Sequence, residues 1–254
     1  SANKYYFHSR PRRFGKSLML STLKAIFTGQ KHLFNGLWIE NHWDWEQVHP
    51  VIHFSFSGIG YKTQGLEAAI MAELQTLSHD LGVTLEETGI DRQFRELIRK
   101  LAQASGQVVL LIDEYDKPLI DYLDDIEQAK ANQQTLKNFF SVIKDSDPFL
   151  RFLLITGVSK FSKVSVFSDL NNLYDISRDY RFAALTGYTQ AELEHYFKPY
   201  FPAVEQRLQL DRTALLEKLR HWYNGYSWDA ETFVYNPFSV LSFFFTNHHR
   251  HVAG

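Results

Sequence analysis

Short apolar runs alternate along most of the chain with segments in which apolar residues recur at helical spacing. The runs that predict strands lie at 5–8, 51–56, 108–112, 149–155 and 182–185. The helical pattern covers 16–28, 66–81 and 94–101, and a further helix around 136–143 follows a charged, polar stretch at 121–134. Strands separated by helices predict an α/β fold, in which helices flank a parallel sheet on both faces.

The pattern changes near residue 187. The runs at 108–112 and 152–155 are almost continuously apolar, which is typical of central strands buried on both faces. Residues 189–254 instead show mainly helical spacing. We therefore predict a core domain at 1–187 and a small, mainly helical C-terminal subdomain at 188–254.

Composition narrows the class of protein. The chain has 254 residues, a net charge of −2 and no cysteine. The charge gives no support for a nucleic-acid-binding face, and the lack of cysteine excludes disulfides, thiolate chemistry and Cys-type zinc sites. No apolar run is long enough to span a bilayer, and no signal peptide precedes the first strand. We expect a cytoplasmic protein without a membrane anchor, from which residues before Tyr5 have been removed.

The segment Phe-Gly-Lys-Ser-Leu at 14–18 lies between the first strand and the first helix. The N–H groups at a helix start point towards bound phosphate, and the helix dipole favours negative charge there. Gly15 allows close approach of the backbone, Lys16 can reach the β- and γ-phosphates, and Ser17 offers a hydroxyl to magnesium. The predicted nucleotide-binding residues in this phosphate loop are Arg13, Phe14, Gly15, Lys16, Ser17 and Leu18.

The entry to the phosphate loop departs from the usual pattern. Arg10 stands where G-x-x-x-x-G-K-[ST] has its first glycine, and Arg12 and Arg13 follow. These arginines could add charge near the phosphates, or reach the nucleotide of a neighbouring subunit in a homo-oligomer. The alternative is a solvated turn, and the sequence leaves the choice open.

A second chemical signal ends the strand at 108–112, where Asp113 and Glu114 follow the apolar run. Ligands of open α/β sheets bind at the carboxyl ends of strands. We predict that Asp113 holds magnesium and that Glu114 polarises the attacking water, with Lys16 as the second catalytic residue. Because adjacent strand residues point to opposite faces, the two acids should differ in role. The alternative is a pair of exposed acids of no consequence.

Two neighbouring segments have weaker signals. Asp116, Lys117 and Pro118 are interpreted as loop and helix-start residues with a structural role. Thr156 and Ser159 follow the strand at 149–155, where a polar side chain can sense the γ-phosphate, although a turn with capping hydroxyls is an equal alternative.

These motifs resemble those of the bacterial AAA-ATPase-like family. The matching segments are Arg-Pro-Arg-Arg-Phe-Gly-Lys-Ser-Leu at 10–18, Leu-Ile-Asp-Glu-Tyr-Asp-Lys-Pro at 111–118, Ile-Thr-Gly-Val-Ser-Lys-Phe at 155–161, Trp-Tyr-Asn-Gly-Tyr at 222–226 and Tyr-Asn-Pro-Phe-Ser at 235–239. The resemblance implies an ASCE-type P-loop NTPase core with a helical or winged-helix-like subdomain. It also implies ATP and Mg²⁺ as cofactors, with Lys16, Ser17, Asp113 and Glu114 as the site. Family members often continue into a PD-(D/E)XK nuclease-like domain, before which this chain is expected to end.

Other chemistries fit less well. A PD-(D/E)XK nuclease site needs an acid two residues before a lysine, and no lysine here has one. The Asn-Lys-x-Asp motif of GTPases and the signatures of protein kinases are absent. Histidines at 248, 249 and 251 could bind a metal, but a solvent-exposed tail is the simpler interpretation.

The sequence leaves two main functions open. The first is a magnesium-dependent ATPase module that turns over slowly and switches an attached effector domain or a partner. The alternative is a nucleotide-binding regulatory scaffold without significant hydrolysis, which the arginine at position 10 motivates. DNA association through the C-terminal subdomain is a weaker idea, because few basic residues cluster there.

Overall fold

The structure is a computed structural model that describes residues 3–159, 166–168, 170 and 172–249, with the side chains of 248 and 249 left out. By contacts, the chain divides into two units. The first unit comprises Ser1–Arg10 and Ser17–Tyr174, and the second comprises Pro11–Lys16 and Asp175–Gly254. This division reflects contacts and not independent folding, so the predicted domain boundary at 187 stays a prediction.

A sheet forms the centre of the first unit. Its strands in the described part of the chain are β1 (Tyr5–Ser9), β2 (Val51–Ser55), β3 (Val108–Asp113), β4 (Leu150–Gly157) and β5 (Tyr174–Asp175). Their spatial order is β2-β3-β4-β1-β5, and β2, β3, β4 and β1 pair in parallel. The predicted α/β fold is therefore confirmed.

Helices precede and follow the strands as the periodicity predicts. Their bounds are α1 (Lys16–Phe27), α2 (Tyr61–Gln64), α3 (Leu66–Asp80), α4 (Ile90–Ser105), α5 (Lys117–Ile120) and α6 (Ile126–Asp145). Helix α6 begins well before its apolar stripe, inside the polar stretch at 121–134. The carboxylate of Asp125 accepts a hydrogen bond from Gln128 N (3.0 Å), so a side-chain cap sets this helix start.

Apolar residues cover both faces of the sheet. On one face, Leu110 and Ile112 belong to a large core cluster with residues of α3, α4 and α6. On the other face, Val109 and Leu111 pack with Leu20 and Phe27 of α1. Since side chains alternate along a strand, the next odd-numbered residue of β3, Asp113, also belongs to the face covered by α1.

The second unit is mainly helical and contains a hairpin that the sequence did not reveal. Its helices are α7 (Gln190–Tyr196), α8 (Phe201–Leu208), α9 (Arg212–Tyr223) and α10 (Pro237–His249), and its antiparallel hairpin is formed by β6 (Asn224–Ser227) and β7 (Phe233–Tyr235). Core residues from all four helices and from β7 pack together, including Leu193, Phe201, Leu219, Tyr235 and Phe244.

The strand predicted at 182–185 is wrong. A 3-10 turn occupies Tyr180–Phe182, and Asp179 Oδ1 caps it by accepting from Arg181 N (3.0 Å). A four-residue apolar run cannot by itself be distinguished from a partly buried turn, because it is too short to show a period.

Candidate functional site

The carboxyl ends of the parallel strands meet at one edge of the sheet in the first unit. Ser9 of β1 is in register with Gly157 of β4, and Ser55 of β2 is in register with Asp113 of β3. Asp113 therefore lies at the carboxyl edge, where ligands of open parallel sheets bind. This is the position that the sequence predicted for it.

Asp113 is buried and held in a fixed orientation. Asp113 is only 3 % exposed, and its Oδ1 accepts a hydrogen bond from Thr156 Oγ1 (2.6 Å). The hydroxyl of Thr156 also lies 3.4 Å from the carbonyl oxygen of Ile112. Thr156 thus orients the acid at the neighbouring strand end, while its predicted contact with nucleotide stays a prediction.

Glu114 lies just beyond the strand and not on it. Strand β3 ends at Asp113, and Glu114 has a left-handed backbone with φ of 53°. This conformation costs a non-glycine residue about 1–2 kcal/mol. The sequence predicted that alternation along the strand sets the direction of Glu114. This prediction is wrong, because the strand ends one residue earlier. A left-handed turn sets this direction instead, and residues held in such strained conformations are frequent at functional sites.

Asp116 fixes the turn that follows. Its carboxylate is buried, and Oδ2 accepts from Val158 N (2.9 Å), Ser159 N (2.7 Å) and Ser159 Oγ (3.0 Å). The same residue stands at the N-terminus of α5. A Cβ added to Gly157 would lie 2.5 Å from the ring of Tyr115, so the packing of this ring requires glycine at position 157. These contacts support the structural role assigned to the segment at 116–118.

The residues of the phosphate loop divide between the two units. Ser17 and Leu18 belong to the first unit and are exposed, Leu18 to 71 %. Arg13, Phe14, Gly15 and Lys16 are grouped with the second unit. The first turn of α1 contains no acidic residue that would neutralise its dipole.

Lys16 is the first residue of α1 and is largely buried, with 6 % exposure. Its ammonium group donates a hydrogen bond to the carbonyl oxygen of Pro11 (3.1 Å), within the loop itself. Gly15, with φ of 79°, has the left-handed backbone that glycine tolerates best. A lysine folded onto its own loop can exchange a neutral acceptor for a phosphate.

Arg10 resolves one of the open alternatives. Its side chain is only 1 % exposed, so a solvated turn is wrong for this residue. Its backbone N–H donates to Gly157 O (3.2 Å), which continues the pairing between β1 and β4, and its Nη1 donates to Ser9 O (2.9 Å). The loop therefore begins as an extension of the strand and needs no glycine there. Arg12 and Arg13 are exposed.

The sequence analysis missed His53. This residue lies on β2, and by alternation with Val51 it belongs to the same face as Asp113. Burial lowers the pKa of His53, and the charge of Asp113 acts in the opposite direction. Its Nε2 is buried and has no hydrogen-bond partner in the described part of the chain. Polar residues at 53 and 55, alternating with apolar ones, were the available signal.

The predicted metal ligands suit a magnesium ion that binds together with a nucleotide better than a metal ion held by protein side chains alone. Among residues 3–159, 166–168, 170 and 172–249, no group of three or more His, Cys, Asp or Glu side chains could hold a metal ion. Ser17 supplies a hydroxyl and Asp113 a carboxylate. Mg²⁺ is usually bound by one or two carboxylates together with substrate phosphates and water. This donor set therefore suits a magnesium ion that arrives with a nucleotide.

Some sequence predictions fall on residues outside those described. Lys160 and Phe161, in the segment that follows Ser159, belong to this group. So do the side chains of the histidines at 248, 249 and 251. No helix among the described residues combines the length and the apolar character needed to cross a membrane.

Comparison with known proteins identifies the family. Residues 1–167 match a family model described as "Predicted AAA-ATPase". The chain belongs to this family. The AAA-ATPase-like assignment agrees with a parallel sheet flanked by helices and supports nucleotide binding of the ATPase type.

A curated relative gives no further function. The chain is 48 % identical over 243 residues to a protein described as "Uncharacterized protein in vnfD 5'region" from Azotobacter chroococcum mcd 1. The match covers 94 % of this AAA-ATPase-like chain and 45 % of the relative, so the chain spans about half the length of that protein. No solved structure gives a significant match.

Proposed function

We propose that the chain binds ATP together with Mg²⁺ and slowly hydrolyses the bond between the β- and γ-phosphates. The observation that carries this proposal is the buried carboxylate of Asp113 at the carboxyl edge of the sheet, with one oxygen fixed by Thr156. Glu114 follows it in a strained turn. A fixed acid beside a differently directed acid suits one metal-side role and one water-side role.

Each residue of the proposed site has a separate task. The backbone N–H groups at 14–18, together with Arg13, surround the phosphates, and Lys16 neutralises the β- and γ-phosphates. Ser17 and Asp113 would hold the magnesium ion, which reduces the negative charge on the phosphate oxygens when it is bound. Glu114 orients the attacking water and accepts its proton. Thr156 positions Asp113.

The position of Lys16 suits reversible binding. Its ammonium group donates to the carbonyl oxygen of Pro11 in this structure. Hydrogen bonds from a cation to an anionic oxygen are roughly twice as strong as those between neutral groups. Phosphate therefore competes well for Lys16, and the loop can release the nucleotide without leaving the lysine unpaired.

Slow hydrolysis would serve a switch that acts on an attached effector domain or a protein partner in the cytoplasm. The curated relative is about twice as long as this chain, since the match covers 45 % of it. The part of that protein outside the match is long enough for a further domain.

The test of hydrolysis is the variant Glu114→Gln. We expect ATP turnover to fall by about 10²–10⁴-fold, because a positioned general base contributes an acceleration of that size. Binding of ATP should be retained, since the amide keeps the shape of the side chain. Phosphate release and ATP binding are measured side by side, with Glu127→Gln, an exposed acid of α6, as the control. Equal turnover in wild type and Glu114→Gln would exclude Glu114 as the base.

A second candidate function is a nucleotide-binding scaffold without significant hydrolysis. The buried arginine at position 10, in place of glycine, favours it because the loop entry is built as an extended strand. Calorimetric binding of ATP without phosphate release by the wild-type chain, also in the presence of a partner, would support this function over catalysis.

A further inference from the structure

Phe14 is the residue of the phosphate loop whose side chain is fully buried, and its surroundings are aromatic. Its ring packs edge-on against Tyr226, with centroids 4.7 Å apart at 76°. It also packs against Trp228, with centroids 5.9 Å apart at 80°. Tyr226 lies on β6, and Trp228 follows the end of that strand. Both partners therefore belong to the hairpin segment of the second unit.

The two rings of the hairpin segment also contact each other. Tyr226 and Trp228 stack with centroids 6.1 Å apart at 27°. Phe14 thus packs against two rings, Tyr226 and Trp228, which together we call the aromatic anchor. Edge-to-face pairs of this kind contribute beyond simple burial of apolar area.

The preceding loop residue has a tether of its own. The guanidinium carbon of Arg13 lies 4.2 Å from the ring centroid of Phe238, in the first turn of α10. This distance is within the range of a cation–π interaction. Two consecutive residues of the phosphate loop are therefore held by side chains from the C-terminal part of the chain.

The backbone around Phe14 explains why such anchoring matters. Arg13 has φ of 69° and Gly15 has φ of 79°, so left-handed residues lie on both sides of Phe14. A left-handed arginine is disfavoured by about 1–2 kcal/mol, and glycine is intrinsically free. Without contacts to its side chain, this loop would sample many shapes. Burial of the Phe14 ring fixes the orientation of the peptide groups whose N–H donors the phosphates require.

We propose that Tyr226 and Trp228 are positioning residues that hold the phosphate loop in its nucleotide-binding shape, so that the C-terminal hairpin sets the affinity for the nucleoside triphosphate. This inference rests on the proposed function of the loop. Preorganisation of a binding loop raises affinity because ordering no longer opposes binding. By linkage, bound nucleotide must in turn stabilise the contact between Phe14 and the anchor. The contacts of the hairpin with Phe14 therefore depend on whether the loop has bound nucleotide.

The experiment compares ATP affinity among variants of the hairpin in the presence of magnesium. Tyr226→Ala removes the nearest ring and should weaken ATP binding about tenfold, because a loop that has lost its anchor must be ordered on binding. Tyr226→Phe keeps the ring and should bind like wild type. Phe233→Ala is the matched control, since Phe233 is an exposed aromatic residue of β7 in the same hairpin. Calorimetry gives the dissociation constants, and thermal unfolding confirms that each variant is folded.

A double-mutant cycle separates positioning from a general loss of stability. Phe14→Leu and Tyr226→Ala each break the same contact, so the double variant should bind ATP nearly as well as the weaker single variant. Fully additive losses would overturn the proposal. If Tyr226→Ala does not fold, Tyr226→Leu replaces it in the same cycle with the same expectation.

The outcomes distinguish this inference from the proposed function. If the wild-type chain does not bind ATP, the proposed function fails and the inference fails with it. If wild type binds ATP and folded Tyr226→Ala binds equally well, the inference is overturned while nucleotide binding stands. Weaker binding by Tyr226→Ala, restored in Tyr226→Phe and absent from Phe233→Ala, supports the anchor.

Discussion

The acids of the first unit and the loop residues Phe14 and Lys16 of the second unit are held by different kinds of contact. Thr156 donates to Asp113 at 2.6 Å, and Asp116 accepts from the backbone N–H groups of Val158 and Ser159 at 2.9 and 2.7 Å. In the loop, Phe14 packs against aromatic rings, and Lys16 donates to a carbonyl oxygen of its own loop at 3.1 Å.

This difference indicates which part of the proposed site is adjustable. Removing the donors of a buried carboxylate is costly, so the hydrogen bonds to Asp113 and Asp116 favour a single arrangement of these acids. Aromatic pairs contribute only about 0.5–1.5 kcal/mol each, and a lysine can exchange one oxygen acceptor for another. We infer that the acids and the ring of Phe14 are positioned before nucleotide binds, whereas Lys16 exchanges its acceptor on binding.

The largest expected effect comes from breaking the polar network at Asp116. Asp116→Ala leaves the N–H groups of Val158 and Ser159 without their acceptor and opens a small cavity. We expect the free energy of unfolding to fall by about 3 kcal/mol, as when one partner of a buried charged network is removed. Urea denaturation measures this loss. Asp124→Ala, at an exposed acid, is the control and should change stability little. A loss for Asp116→Ala no larger than that of the control would show that the turn is not held by this carboxylate.

A smaller effect is expected at Asp121, which follows α5 and can be titrated. Burial raises the pKa of Asp121, but hydrogen bonds from Tyr61, Lys117 and Lys62 outweigh it and lower the pKa from 3.8 to about 2. A lowered pKa in the folded state stabilises the protein above the unfolded-state pKa, and the stabilisation is lost as pH falls through the folded-state pKa. The contribution should therefore be full at pH 7 and disappear between about pH 4 and pH 2.

Asp121→Asn removes this titration. We expect it to lower the free energy of unfolding at neutral pH by an amount on the order of 2 kcal/mol, and to flatten the acid limb of stability against pH. The contacts of Phe14 with Tyr226 and Trp228 involve no carboxylate, so this change in the acid range should report on the contacts of Asp121 and not on the aromatic contacts of the loop. An acid limb identical in wild type and Asp121→Asn would contradict the assignment.

Most of the fold could be predicted because its signals are local. Central parallel strands are continuous apolar runs, and β3 and β4 were found within two residues of their predicted bounds. The identities of Lys16, Ser17, Asp113 and Glu114 came from motifs whose spacing reflects the geometry of a phosphate loop and a strand end. The family match over residues 1–167 supports nucleotide binding of the ATPase type, and the roles of these four residues stay predictions.

The remaining features depend on contacts between residues far apart in sequence. No local pattern indicates that Phe14 packs on Tyr226, or that Asp116 accepts hydrogen bonds from residues 158 and 159. The hairpin strands β6 and β7 are too short for alternation to show. The left-handed turn at Glu114 was missed because nothing in its side chain predicts a positive φ.

The central claim is that the phosphate loop binds ATP through Lys16, and calorimetry with Mg²⁺ and ATP tests it most directly. Lys24 lies on the same helix and is exposed, so Lys24→Ala is the matched control for Lys16→Ala. We expect wild type and Lys24→Ala to bind alike, and Lys16→Ala to bind at least about tenfold more weakly, as loss of a hydrogen bond to a charged group predicts. Absence of ATP binding by the wild-type chain, or equal binding by Lys16→Ala, would contradict the account.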